Sequence, residues 1–256
     1  NGEFPRAVFA PTTAAEAFWT TVHAFNIAEK YQIPVIILSD QHLADSMYSI
    51  EPFDLNGVSI ERGELLEKAK LGENTAYERY KITESGISPR AFPGMGKQCV
   101  VVVGNEHLES GYSTENPVMR TRMTDKRMRK FHKLAGEIKA PISYGDQKPE
   151  TLLLTWGSSY GACREAVDIA NKNNKKLQVV CLPQLWPFPK GPILELTEQV
   201  TRVVTVEMNA TGQLGRLLRT ETGLQPDQAI LKYDGRPMNA DYVLDELEKG
   251  GTFPWQ

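Results

Sequence analysis

What most constrains this chain is a rhythm that begins near Thr151: short, almost wholly apolar runs, each followed by a stretch of helical spacing. The runs occupy residues 151–156, 177–181, 203–206 and 229–233. A strand apolar on nearly every residue must be covered on both faces, as in a parallel sheet between two layers of helices; a strand with one wet face alternates instead. The intervening stretches predict helices over 160–171, 190–198, 213–222 and 239–247, the last with Val243, Leu244 and Leu247 as its inner stripe. Each connection is long enough for a right-handed crossover. The expectation is a four-stranded open parallel α/β domain, from Thr151 to about Gly250, with helices on both faces.

The first fifty residues carry a smaller version of the same pattern. Residues 7–10 read as a strand, and Thr13 with Glu16 offers a capping box in which hydroxyl and carboxylate satisfy backbone donors reciprocally. Phe18, Val22 and Phe25 then recur at helical spacing through Lys30, and Pro34 introduces the apolar run 35–38, which predicts a strand buried on both sides. Two strands do not make an independent α/β domain, so residues 1–50 read as the end of a larger sheet. From 51 to 148 the pattern is irregular, with Gly and Pro clustered near 85–90 and 92–96. We read it as a long structured crossover containing a short strand at 99–103 and, after Asn116-Pro117, a basic helix over 118–136. Connections of that length are usually functional or interfacial.

Composition removes several function classes. With 29 Lys and Arg against 32 Asp and Glu, the net charge of −3 gives no general attraction for nucleic acid. Cys99, Cys163 and Cys181 lie far apart with no Cys-x-x-Cys, which argues against a disulfide framework, an iron–sulfur cluster or a zinc ribbon held by this segment. No apolar run approaches the roughly 18 to 20 residues of a membrane span, and the first residues do not resemble a secretory leader. A cytoplasmic protein with no nucleic acid or membrane partner is expected.

Four constellations could carry chemistry. Trp156-Gly-Ser-Ser-Tyr-Gly161 closes a strand and opens a helix; it is either an anion cradle or a tight turn with capping serines. Glu207 and Asn209, followed by Gln213, stand at the carboxyl end of a parallel strand, where ligands and partner subunits approach; the alternative is an acidic strand end with a helix cap. His107 lies between Glu106 and Glu109 in a glycine-flanked loop, placed either to move a proton near neutral pH or simply in solvent. The stretch 120–133 holds Arg120, Arg122, Lys126, Arg127, Arg129, Lys130 and Lys133 against one acid, Asp125. With few aromatics to stack on bases, it reads as a solvated or interfacial helix face, or as a site for a phosphate-bearing ligand such as coenzyme A. No metal is expected on this segment, because no His-Glu-x-x-His or similar spacing occurs.

Taken in order, Gly2-Glu-Phe-Pro-Arg6, Ala10-Pro-Thr-Thr13, Phe25-Asn-Ile-Ala-Glu-Lys-Tyr31, Ser39-Asp-Gln-His-Leu-Ala-Asp-Ser46, Ser88-Pro-Arg90, Glu106-His107, Glu115-Asn-Pro117, Pro183 to Pro189 and Glu207 to Arg219 resemble the α subunit of 2-oxoacid:ferredoxin oxidoreductases, closest to the 2-oxoglutarate type. The resemblance covers nearly the whole chain, residues 51–80 being the least distinctive. It implies the end of a thiamine-diphosphate pyrimidine-binding domain at 1–50, the crossover and basic helix at 51–148, and a transketolase-C-like open α/β domain at 149–256. It also implies an enzyme that decarboxylates a 2-oxoacid on thiamine diphosphate, reduces ferredoxin through [4Fe-4S] clusters and passes the acyl group to coenzyme A. Thiamine diphosphate, Mg²⁺ and the clusters would come from a β subunit or other domains of a homo- or hetero-oligomer. The family's Tyr-Pro-Ile-Thr-Pro and Gly-Pro-Ser-Thr-Gly segments would precede Asn1, so this portion is expected to be C-terminal and inactive alone.

On that resemblance His107 and Glu109 become catalytic candidates, Arg90 a substrate-binding candidate, Arg120 and Arg122 coenzyme-binding candidates, and Glu207, Asn209 and Gln213 interface candidates. Two other readings stay open: a non-catalytic assembly module, and the β chain of a 2-oxoacid dehydrogenase E1, which shares the pair of folds but uses lipoamide.

Overall fold

The computed structural model describes residues 3–67, 76–137 and 139–251. In chain order the elements are β1 (Ala7–Phe9), α1 (Ala14–Tyr31), β2 (Val35–Ile37), α2 (Gln41–Asp45), a 3-10 turn at Leu55–Gly57, α3 (Pro117–Ala135), β3 (Ile142–Gly145), β4 (Thr151–Thr155), α4 (Ser159–Lys172), β5 (Leu177–Cys181), β6 (Gln184–Trp186), α5 (Lys190–Thr197), β7 (Arg202–Glu207), α6 (Gln213–Thr222), β8 (Gln228–Leu231) and α7 (Ala240–Lys249). They fall into two units, one of Asn1–Ala7, Val22–Val35 and Asn56–Glu137, the other of Val8–Thr21, Ile36–Leu55 and Ile138–Gln256.

The second unit carries the sheet that the apolar runs predict. Its order is β3-β5-β4-β7-β8, with β5, β4, β7 and β8 mutually parallel. Side chains alternate across it. Leu153, Val179, Val204 and Ile230 pack under α4 and α7 with Cys163, Val167 and Val243, while Leu152, Leu154, Val180 and Val203 face α5 and α6 with Ile193, Leu214 and Leu218. Leu152, Leu153 and Leu154 are fully buried, each worth about 2 kcal/mol of apolar transfer. The sequence reading missed β3, which joins as an antiparallel edge, Ile142 opposite Cys181 and Gly145 opposite Gln178. Its four residues are too few to establish a period against the irregular stretch before them. It also missed β6, which pairs antiparallel with β1 inside the proline-rich run after Leu182.

Three local expectations need correction. Val35–Leu38 is not buried on both sides: β2 is the edge of a three-stranded sheet ordered β2-β1-β6, and Ile36 and Ile37 are substantially exposed. Residues 99–103 form no strand, because the run finds no ladder partner among the described residues and Val102 points outward. The capping box is displaced by one residue: Thr13 Oγ1 accepts the Glu16 N–H at 3.1 Å as expected, but the Glu16 carboxylate returns to the N–H and hydroxyl of Thr12.

The first unit is largely irregular around α3, and side-chain hydrogen bonds replace sheet ladders in holding it. Asn26 acts as a strand partner, donating to the Ser59 carbonyl at 2.8 Å and accepting from the Glu61 N–H at 2.9 Å. Asn116 caps α3 by accepting from the N–H groups of Val118 and Met119, with Pro117 in the first turn, as Asn116-Pro117 predicts. No helix among the described residues is long and apolar enough to cross a membrane.

Candidate functional site

The candidate site of the first unit is assembled on α3, whose inner stripe is Met123, Lys126, Lys130 and Leu134 at helical spacing. This corrects the expectation of a solvated face for Lys126 and Lys130, while Arg120, Arg122 and Lys133 stay exposed. Lys126 is 4% exposed, and its Nζ donates to the Tyr80 carbonyl at 2.7 Å. Lys130 Nζ donates to the Gln32 carbonyl at 3.0 Å, and Arg129 to that of Thr83 at 3.1 Å. Arg127 holds the Glu106 carboxylate in a two-pronged pair of 3.1 and 2.7 Å. The physical reason is that the loops lying on α3 present main-chain carbonyls that no strand satisfies, and long cationic side chains reach them. Arg120 and Arg122 do remain outward; Arg120 lies 3.9 Å from Glu106 and lines a polar cavity of about 620 Å³ with Asn105, Ser113, Thr114 and Glu115.

His107 is buried at 9% exposure, so the solvated-loop alternative fails. Its ring stacks on Tyr80 with centroids 3.7 Å apart, and Nδ1 lies 3.3 Å from the Leu108 carbonyl. Burial, helped by the charges of Arg127 and Lys126, outweighs the Leu108 carbonyl and Glu106 and lowers its pKa, leaving a neutral imidazole at pH 7. Glu109 ties the same loop to the Tyr80 segment: its carbonyl accepts the Tyr80 N–H at 2.9 Å and Oε1 accepts the Ile82 N–H at 2.7 Å. The sequence reading missed Tyr80 as a member of this cluster, since it has no motif of its own, and it named Glu106 as a neighbour of His107 without its partner Arg127.

Arg90 is not free to receive an anion with its whole fork. Both terminal nitrogens pair with the Glu29 carboxylate, one also reaching the Arg62 carbonyl at 3.3 Å, and Phe92 lies against the guanidinium. That charged hydrogen bond, above all, holds the Glu29 carboxyl below its ordinary value.

In the second unit, the 156–161 turn is the tight strand-to-helix connection expected, with Gly157 at φ +63°, yet its serines do not cap α4. Ser158 Oγ instead donates to Asp40 Oδ2 at 2.5 Å, while Asp40 Oδ1 caps α2 through the Leu43 N–H. Glu207 is fully buried at the end of β7 and accepts from the Leu214 and Gly215 N–H groups, and from the Asn209 amide. It is thus a helix cap built from the preceding strand. Asn209 Oδ1 accepts from Thr211 and Gln213 N–H.

A family model described as "Pyruvate flavodoxin/ferredoxin oxidoreductase, thiamine diP-bdg" matches residues 2–126, and one described as "Pyruvate:ferredoxin oxidoreductase core domain II" matches residues 149–242. The chain belongs to the 2-oxoacid:ferredoxin oxidoreductase family. It is 39% identical over 255 residues to 2-oxoacid:ferredoxin oxidoreductase 2, subunit alpha, of Aeropyrum pernix, covering 97% of this chain and 39% of that one. It is 30% identical to the 2-oxoglutarate oxidoreductase subunit KorA of Mycobacterium tuberculosis, over 95% of this chain and 36% of the relative. Among solved structures, the 2-oxoglutarate:ferredoxin oxidoreductase from Magnetococcus marinus superposes with a TM-score of 0.88 at 28% identity, over 98% of this chain and 43% of that one. The chain spans about two fifths of the length of these relatives.

The buried amines predict a pH dependence of stability. Desolvation, with repulsion from neighbouring cations, lowers Lys126 to about 7 and Lys130 to about 8. An unfolded lysine stays protonated to about 10.4. Above pH 7 and up to that value the unfolded chain therefore binds more protons, and stability rises with pH across the window; below pH 7 the cost of burying the charges is present in full. Urea midpoints measured at pH 7 and pH 9.5 should increase with pH, and Lys126→Met should remove a large part of the increase. An unchanged midpoint would contradict the burial of both amines.

Proposed function

We propose that the chain is part of the α subunit of a thiamine diphosphate-dependent oxidoreductase that converts 2-oxoglutarate and coenzyme A to succinyl-CoA and CO₂ while reducing ferredoxin. The observation that carries this reading is the superposition over 98% of the chain on a 2-oxoglutarate:ferredoxin oxidoreductase whose structure has 2-oxoglutarate, coenzyme A and succinyl-CoA bound.

The donor set present here does not fit the diphosphate end of thiamine diphosphate. Among the described residues no three His, Cys, Asp or Glu side chains come together as a cation site, and a Mg²⁺-diphosphate needs carboxylate and carbonyl oxygens. Asp40 and Glu207, the carboxylates at strand ends, already accept from this chain's own donors. Cys163 and Cys181 are buried and Cys99 is alone, which does not fit a four-thiolate cluster. On this reading both cofactors are held by partner subunits or other domains, and the contribution of this chain is to complete the cleft and the subunit interface. His107, a neutral imidazole oriented by Tyr80, would exchange a proton at the cleft mouth, with Glu109 fixing its loop. Arg90 would border the substrate, Arg120 and Arg122 would meet the phosphates of coenzyme A or a subunit, and Asn209 and Gln213, beside Glu207, would meet a neighbouring subunit. The division at 50 and 148 would separate the pyrimidine-side fold, the crossover and the open α/β domain.

The test is purification of the complex from its native source, followed by viologen reduction with 2-oxoglutarate and coenzyme A. A brown complex that reduces the dye with 2-oxoglutarate, and more slowly when His107 is replaced by Ala, is the expected result; the isolated chain should reduce nothing. Absence of a co-purifying partner, or reduction driven only by another 2-oxoacid, would overturn the assembly or the substrate respectively.

A further inference from the structure

We propose that Lys126 is a positioning residue, its amine clasping the Tyr80 segment that orients the His107–Glu109 loop, and that a proton gained on this amine loosens the loop. Its functional consequence rests on the reading that this loop faces the reaction cleft; the clasp itself does not.

The geometry forms a chain of four contacts inside one unit. Lys126 Nζ donates to the Tyr80 carbonyl at 2.7 Å. The Tyr80 N–H donates to the Glu109 carbonyl, and the Ile82 N–H two residues on donates to the Glu109 carboxylate. The Tyr80 ring lies flat on His107, 20° from parallel. Moving the Tyr80 carbonyl therefore moves the ring and the two main-chain donors that hold His107 and Glu109, while Glu106 stays paired with Arg127.

The surroundings make the charge on that amine costly. Arg127 on α3 and Arg79 from the Tyr80 segment are cationic, and Lys130, one turn along α3, adds its charge below about pH 8. Glu109 is the carboxylate among the groups acting on Lys126, with Glu106 already engaged by Arg127, and His107 is neutral at pH 7. The alternative occupant of such a place would be a fixed cation with a matched carboxylate, as Arg90 and Glu29 provide elsewhere in the same unit. Here the acceptor is a neutral carbonyl, which a neutral amine satisfies without repelling Arg79 and Lys130. Protonation keeps the hydrogen bond but adds charge repulsion and a demand for water, which the buried amine meets only if the Tyr80 segment lifts.

Hydrogen exchange on the full chain, read by mass spectrometry between pH 6 and pH 9 and corrected for intrinsic rates, tests this without activity. Peptides covering 77–84 and 104–113 should exchange about tenfold faster at pH 6 than at pH 9, while a peptide from α4 stays constant. Lys126→Met should abolish the step, and Lys126→Arg should leave both peptides fast at either pH. Equal corrected rates at both pH values in the unaltered chain, which needs no variant to fold, would overturn the proposal, as would a step that survives in Lys126→Met. If the step is present but the dye-reduction pH profile of the complex is the same with Lys126→Met, the clasp stands and the placement of His107 at the cleft falls.

Discussion

Replacing Glu207 by alanine is expected to destabilise the α/β unit by about 4 kcal/mol, because two helix N–H groups and one amide lose their acceptor in a dry site. The carboxylate is completely buried, with Oε2 at 2.7 Å from both the Leu214 nitrogen and Asn209 Nδ2, and Oε1 at 3.1 Å from the Gly215 nitrogen. Helix α6 has no side-chain cap at the usual position, since Gly212 stands there. The free N–H groups and the positive end of the helix dipole are therefore answered from β7. Glu207→Gln keeps one acceptor oxygen but turns an NH₂ toward a backbone donor, so it should recover less than half of the loss. Urea unfolding followed by circular dichroism gives the number, and the melting temperature of a chain this size should fall by roughly 10 °C. A loss below 1 kcal/mol would mean that water, rather than Glu207, satisfies α6.

The same residue marks the boundary of what the sequence discloses. The parallel strands were legible because double burial leaves no choice of side chain: β4, β5, β7 and β8 are apolar on both faces, and their helices show period-3.6 stripes. Glu207 at a strand end was legible as an acid near a helix start, but not as an internal cap, because both readings place the same residue types at the same spacing. β2 failed for a related reason. Val35–Ile37 has the composition of a covered strand, and whether anything lies on its outer edge is a property of the rest of the fold. β3 and β6, four and three residues long, carry too little pattern to be heard.

Around α3 the sequence held a signal that a charge count conceals. Seven cations in fourteen residues suggest a wet face, yet Lys126 and Lys130 stand three and seven positions after Met123, and Leu134 eleven, which is one helical stripe. Read by position instead of by charge, two lysines fall in line with a buried methionine and a buried leucine. What could not be read is the identity of their acceptors. The Tyr80 carbonyl becomes available because residues 76–84 lie on α3 without a strand to pair with, and the Gln32 carbonyl because it stands just past the end of α1. His107 was picked out by its flanking acids, whereas its actual orientation comes from Tyr80, which nothing in the local sequence couples to it.

The close contact of that segment with α3 yields the second large effect, at Gly86. This residue has φ +79°, and a Cβ there would stand 2.3 Å from the Lys126 carbonyl oxygen and 3.2 Å from the Lys130 nitrogen. Those atoms belong to a helix backbone held by its own hydrogen bonds, so the neighbour cannot give way as a side-chain tip would. Left-handed strain of about 1–3 kcal/mol adds to an overlap cost of about 1–3 kcal/mol, and Gly86→Ala should destabilise the first unit by about 4 kcal/mol. The turn that would be displaced links Ile87 to Thr83 and leads directly into the Tyr80 and Ile82 anchors. Gly161 supplies the control: it lies on the exposed side of α4 with nothing within 4 Å of where a methyl group would stand, and alanine there should stabilise by about 0.5–1 kcal/mol through the unfolded state. In parallel unfolding and hydrogen-exchange measurements, Gly86→Ala should raise exchange in 77–84 and 104–113 at every pH, whereas protonation of Lys126 raises it progressively as the pH falls from the free-lysine range of about 10.4 toward 7. A Gly86→Ala chain within 1 kcal/mol of the parent would show that the segment does not lie against α3 at this distance, and the clasp argued for Lys126 would lose its geometry with it.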